Sequence, residues 1–126
     1  MKYDPNKPPD TKKWTTLSEL EQIDLVLDYH KRRKIQIPND MLHAAIHATV
    51  ENQIALGDKF PAESKLNQLM QEGLDRHEAV HAIGSVLSEH IYGMLAEDSE
   101  LDDPNAPYLD ALERLTAKLW RERYSE

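Results

Sequence analysis

Four of the chain's six histidines stand in two strings of identical spacing. His43 and His47 lie four apart in MLHAAIHATVE, and His77 and His81 lie four apart in DRHEAVHAIGS. Residues i and i+4 share one face of a helix, one turn apart. Each pair can therefore aim two imidazoles at a single point, and imidazole is the commonest metal ligand. Four imidazoles on one ion would close a tetrahedral, structural site. Three imidazoles and a water would leave a position open for chemistry. Glu51 extends the His43–His47 stripe by one more turn and reads as a further ligand or as an acceptor that orients an imidazole. Glu78 completes an H-E-x-x-H string. Being adjacent to His77, it points about 100° away around the helix. It reads either as a general base on a metal-bound water or as the reciprocal member of a capping box.

The elements that must carry these residues are helices. Leu17, Leu20, Ile23, Val26 and Leu27 recur at helical spacing behind Thr16-Leu17-Ser18-Glu19, which resembles a capping box. This predicts helix 1, fading near Lys34. Helix 2 opens at Asn39 or Asp40 and stops at Gly57. A short helix 3 runs from about Pro61 to Gly73. Helix 4 starts at an Asp75 cap and runs through Leu95. The acidic, proline-containing stretch from Ala96 to Pro107 is expected to be a loop, and helix 5 follows through Leu109, Leu112, Leu115 and Leu119. No strand-like alternation persists. The expectation is an all-α, single-domain bundle of four to five helices over residues 14–126, preceded by an extended tail at 1–13.

Short connections make neighbouring helices antiparallel, so helices 2 and 4 are expected to run parallel. Both histidine pairs fall in the first two turns of their helices and would then lie at one end of the bundle and at similar height. Helix N-termini also favour neutral imidazole, the form that binds metal. His30 and His90 have no spacing that recruits them. His90 falls on roughly the face opposite His81.

Composition narrows the alternatives. With 15 Lys+Arg against 23 Asp+Glu, the net charge is -8, which argues against nucleic acid and anionic membranes as partners. There is no cysteine, so thiolate ligands, disulfides and a cysteine nucleophile are excluded. His, Asp and Glu remain as ligands. They suit a divalent transition metal, zinc first, with iron, manganese or nickel as alternatives. No apolar run spans a bilayer, and MKYDPNKPPDTKK has no signal-like apolar core, so the chain reads as cytoplasmic and bacterial in character. The extended zincin pattern fails: Gly84 matches its glycine, but Leu87 stands where the third histidine belongs. The run Asp98 to Asp103 has calcium-like oxygen density without the EF-hand offsets and reads as a solvated loop. Lys31 to Lys34 complements a helix C-terminus. Trp14, Trp120 and Tyr124 read as anchors for the terminal segments.

The segment from Asn39 to Tyr92 resembles a family of short bacterial proteins, domain-of-unknown-function family 1841. The likeness rests on Leu42-His43 with His47, Gln53, the neighbourhood of Gly73, His77-Glu78-Ala79 with His81-Ala82, and Glu89. Tyr108-Leu109 and Ala111-Leu112-Glu113 are similar to the family's end, giving coverage of roughly residues 39–115. The resemblance implies an all-helical fold and singles out the same four histidines. It implies no assigned activity.

Two readings of different class follow. One is a metal-binding helical protein with His43, His47, His77 and His81 as ligands, extended to a metal-dependent hydrolase if Glu78 serves as base. The other is a metal-free interaction module or homodimer, with core histidines and the leucine stripe of helix 5 offered to a partner.

Overall fold

The computed structural model describes residues 1–34, 39–97 and 105–124, except for the side chains of 95–97 and 124. The proline-containing stretch 35–38 and most of the expected acidic loop, including Asp98 to Asp103, lie outside these residues, as does the Tyr124 side chain. The described residues form seven α-helices and no strand: α1 (Thr11–Thr16), α2 (Glu19–Arg32), α3 (Asp40–Ala55), α4 (Ala62–Gln71), α5 (Arg76–Glu97), α6 (Ala106–Arg114) and α7 (Ala117–Tyr124), with a 3-10 turn at Gly57–Lys59. The fold is all-helical, as expected, but with more helices than four to five.

The two extra helices have local causes. Thr16 closes α1 rather than opening the next helix, and the capping box sits two residues later. Glu21 N–H donates to Ser18 Oγ, and Ser18 N–H donates to Glu21 Oε1. The expected last helix is broken at Leu115, whose backbone is extended. There the Thr116 hydroxyl accepts from Leu119 N–H, and the Glu72 carboxylate accepts from Ala117 N–H, so a new helix start is satisfied by side chains. The other boundaries follow the expected caps. Asn39 Oδ1 accepts from Leu42 N–H, while Gly57 and Gly73 end their helices at φ +59° and +108°, where a side chain would be strained.

The expected tail behaves differently from a free one. Its first ten residues are non-helical, but Tyr3 and Pro5 are buried, and the boundary expected at residue 13 falls inside α1. Arg32 Nη2 donates to the Tyr3 carbonyl, Arg76 Nη1 to the Pro5 carbonyl and His77 N–H to Asn6 Oδ1. The segment thus straps across α2 and the start of α5. Trp14 is fully buried and donates to Asn52 Oδ1, the anchoring role expected of it.

Helix α3 is the middle layer, packed on α2 on one side and on α4 and α5 on the other. One core joins Val50, Ile54, Leu66, Leu69, Val80 and Ile83 to α6 and α7. The second joins Tyr3, Trp14, Ile23, Val26 and Tyr29 to Ala44 and Ala48 of α3. Small residues set the spacing. A Cβ built on Gly84 would stand 3.1 Å from Ile46 Cγ2, so the glycine lets α3 and α5 close on each other. Gly84→Val is expected to lower stability by about 1–3 kcal/mol through overpacking and to spread the two helices. Denaturant unfolding checks it, and an unchanged midpoint would show that this contact does not set their separation.

The leucine stripe of helix 5 is used mostly inside the chain. Leu112 and Leu115 are buried in the first core, Leu109 is half-buried, and Leu119 is the exposed member. No helix among the described residues is long and apolar enough to cross a membrane.

Candidate metal centre

The caps at Asn39 and Asp75 place each histidine pair in the first two turns of its helix, and the packing of α3 on α5 sets the pairs side by side. Ring centroids are 5.0 Å apart for His43–His81 and for His47–His81, 5.6 Å for His47–His77, 5.5 Å within the α3 pair and 4.3 Å within the α5 pair. With metal–nitrogen bonds of about 2.1 Å, two imidazoles on one ion have centroids about 4.5 Å apart at right angles, about 5.2 Å apart at the tetrahedral angle and about 6.4 Å apart when trans. All five separations lie in or very near that range. One ring nitrogen from each of His43, His47 and His81 falls within 4.8 Å of the others, a triangle that a small closure would bring onto one ion. His77 joins through His81, with their Nε2 atoms 3.1 Å apart. Two ligand nitrogens on a tetrahedral ion would stand about 3.4 Å apart.

Polar accounting sets this cluster apart from an ordinary core. His43 Nε2 and His47 Nε2 are buried without a hydrogen-bond partner. Buried polar atoms are almost always paired, and an orphan costs about 1–3 kcal/mol. A metal ion would satisfy both lone pairs at once.

His47 is held in one orientation by a buried chain of groups. Tyr3 Oη donates to Glu51 Oε2 at 2.5 Å and lies 2.8 Å from His47 Nδ1. The phenol has one proton, and burial together with the Glu51 charge pushes its pKa well above the ordinary range, so it stays protonated. With that proton on Glu51, Nδ1 of His47 must carry hydrogen and donate to Tyr3. This tautomer leaves the lone pair on Nε2, the unpartnered atom. Arg76 neutralises Glu51 in a fork, Nη2 to Oε1 at 2.7 Å and Nη1 to Oε2 at 2.8 Å, with both side chains buried. Of the two roles expected for Glu51, the structure supports orientation of a ligand; its oxygens are occupied by Arg76 and Tyr3.

Glu78 is engaged at the start of α5. Its Oε1 accepts from Asp75 N–H, and Asp75 Oδ1 accepts from Glu78 N–H at 2.7 Å. That is the reciprocal capping box, the reading of Glu78 that these contacts support.

The environment keeps the imidazoles neutral. Burial is the largest cause of lowered pKa at each of them, followed for His43, His47 and His81 by the charge of the neighbouring histidines. His43 falls to about 4 and His81 to about 3. His47 lies well below the ordinary value, and His77 is lowered as well. Access is retained, since a half-open cleft of about 470 Å³ between α3, α5 and Trp120 is lined by His43, His47 and His81.

Sequence reasoning missed three participants. Tyr3 falls in the expected tail, and nothing local marks it. Arg76 precedes His77 without a spacing that pairs it with Glu51. His30 was set aside, yet it continues the Ile23–Val26 stripe of α2 and is buried beside His43, their centroids 5.0 Å apart. His90 is elsewhere, tilted against Tyr108.

No curated protein and no solved structure matches the chain. The model of one family, described as Domain of unknown function (DUF1841), matches residues 16–114, beginning well before the resemblance at residue 39 and ending at its expected end. A match over most of the chain's length, across the helices that carry both histidine pairs, shows that this protein belongs to the DUF1841 family.

Proposed function

We propose that this protein binds one divalent transition metal ion through His43, His47, His77 and His81, with zinc, iron, manganese or nickel as the ions its donors suit. The observation that carries the reading is the meeting of three imidazole nitrogens, from two helices, within 4.8 Å, at a site where Nε2 of His43 and Nε2 of His47 are buried and unpartnered. Hydrogen bonding would satisfy histidines that served only as core filling, and here it leaves Nε2 of His43 and of His47 bare, while His77 and His81 pair with each other. The Tyr3–Glu51–Arg76 chain adds to the case. It turns His47 so that Nε2 faces the other rings.

When bound, the ion would supply Lewis acidity at a position reached from the cleft. The residues of this chain do the rest: α3 and α5 present the donors, Tyr3 orients His47, and burial keeps the rings unprotonated.

Metal analysis of tag-free protein, purified without chelator or nickel resin, tests the reading. About one equivalent per chain is expected, lost in both His47→Ala and His81→Ala. Metal content unchanged in both variants, or wild-type protein that stays metal-free after incubation with zinc and with iron, would overturn it.

A further inference from the structure

We infer that His30 is a fifth imidazole of the same centre, brought by α2, so that the site draws on three helices and takes an ion of five or six coordination. The inference rests on the metal-binding reading above and extends it.

His30 lies in the last turn of α2 and is 4% exposed. Its ring meets the Val26 backbone one turn back, though neither ring nitrogen makes a hydrogen bond of good geometry. Its centroid stands 5.0 Å from that of His43 and 6.0 Å from that of His47, both separations that two imidazoles on one ion allow. His81 stands at the same 5.0 Å from His43. A buried histidine with bare nitrogens is expensive unless something occupies them. The unpartnered atoms of His30, His43 and His47 belong to neighbouring rings, and one ion would take one lone pair from each.

Five imidazoles exceed what a closed tetrahedral zinc site accepts. With a sixth position open to the cleft, the set suits a divalent ion of higher coordination. Nitrogen donors without thiolate favour iron or nickel. The arrangement also ties the end of α2 to the metal, since the ion would clamp α2, α3 and α5 together.

Cobalt(II) loading of the wild-type protein tests this directly. Each coordinated imidazole keeps one N–H, which the paramagnetic ion shifts, so five shifted N–H resonances are expected, one assignable to His30. The visible band should be weak, as for five- or six-coordinate cobalt. In His30→Gln one shifted resonance should vanish, cobalt affinity should fall at least tenfold and the visible band should change. Cobalt bound with an intense four-coordinate band and no shifted His30 signal would overturn this inference and leave the metal site standing. Failure of wild-type protein to bind cobalt would overturn both. The wild-type count holds even if His30→Gln does not fold.

Discussion

Arg76→Ala is expected to destabilise the protein by about 3–5 kcal/mol, the cost of leaving one member of a buried ion pair without its partner. The Glu51 side chain is fully buried, and Arg76 supplies both of its forked hydrogen bonds. Without the guanidinium, the carboxylate keeps only the Tyr3 hydroxyl as a donor, and the Pro5 carbonyl loses the donor that holds the N-terminal strap. A loss of that size is a large part of the stability of a domain this small, so the variant should be mostly unfolded on modest heating.

The double variant Glu51→Leu, Arg76→Met separates stability from function. Replacing a buried pair by apolar groups of similar volume is often neutral or stabilising, so most of the lost stability should return. The orientation of His47 should not return, because Tyr3 no longer has an acceptor to fix its proton. Metal affinity should therefore stay reduced by about 10–100-fold, as for other groups that orient metal ligands. Denaturant unfolding and metal titration on the same samples check both halves. A double variant with full metal affinity would show that the Tyr3–Glu51 chain does not orient His47.

Acid should unfold the metal-free protein early. The folded-state pKa values of His43 and His81 lie at about 4 and about 3, well below the ordinary histidine value, chiefly through burial. In this range the unfolded chain binds protons before the folded one. The stability these histidines contribute is therefore fully present above about pH 6.5 and is lost as pH falls from there through the folded-state values. Each contributes a slope of about 1.4 kcal/mol per pH unit. His47, His77 and His30 shift in the same direction and add to it. Circular dichroism against pH should show unfolding of metal-free protein centred above pH 4. Added metal should move the midpoint to lower pH, because the ion binds only neutral imidazole. Stability that stays flat between pH 7 and 5 in metal-free protein would mean that these rings are hydrated in solution.

Several features of this protein were legible in its sequence because they are local. Hydrophobic spacing marks α2, α3, α4 and α5, while Asn39, Asp75, Gly57 and Gly73 mark where they start and stop. The i,i+4 spacing puts each histidine pair on one face, but the parallel run expected of α3 and α5 from their short connections is not what packs: Glu51 meets Arg76, His43 meets His81 and Ile46 meets Gly84, so the two helices run in opposite senses where they touch. The packing of α3 on α5, and not the count of connections, brings His43, His47, His77 and His81 together. Glu78 could be read either way from sequence, because a capping box and a metalloprotease string share the same glutamate.

The tertiary structure decided what depends on contacts between distant segments. Tyr3 reaches His47 across 44 positions and Glu51 across 48, and Arg76 reaches Glu51 across 25. No periodicity encodes such pairings, since they arise from where the strap and α5 happen to cross α3. The break at Leu115 was invisible for the same reason: the helix start after it is satisfied by Glu72, from another helix. His30 shows the boundary most clearly. Its stripe on α2 announces burial, but what it is buried against depends on which face of α3 meets α2, and only packing settles that.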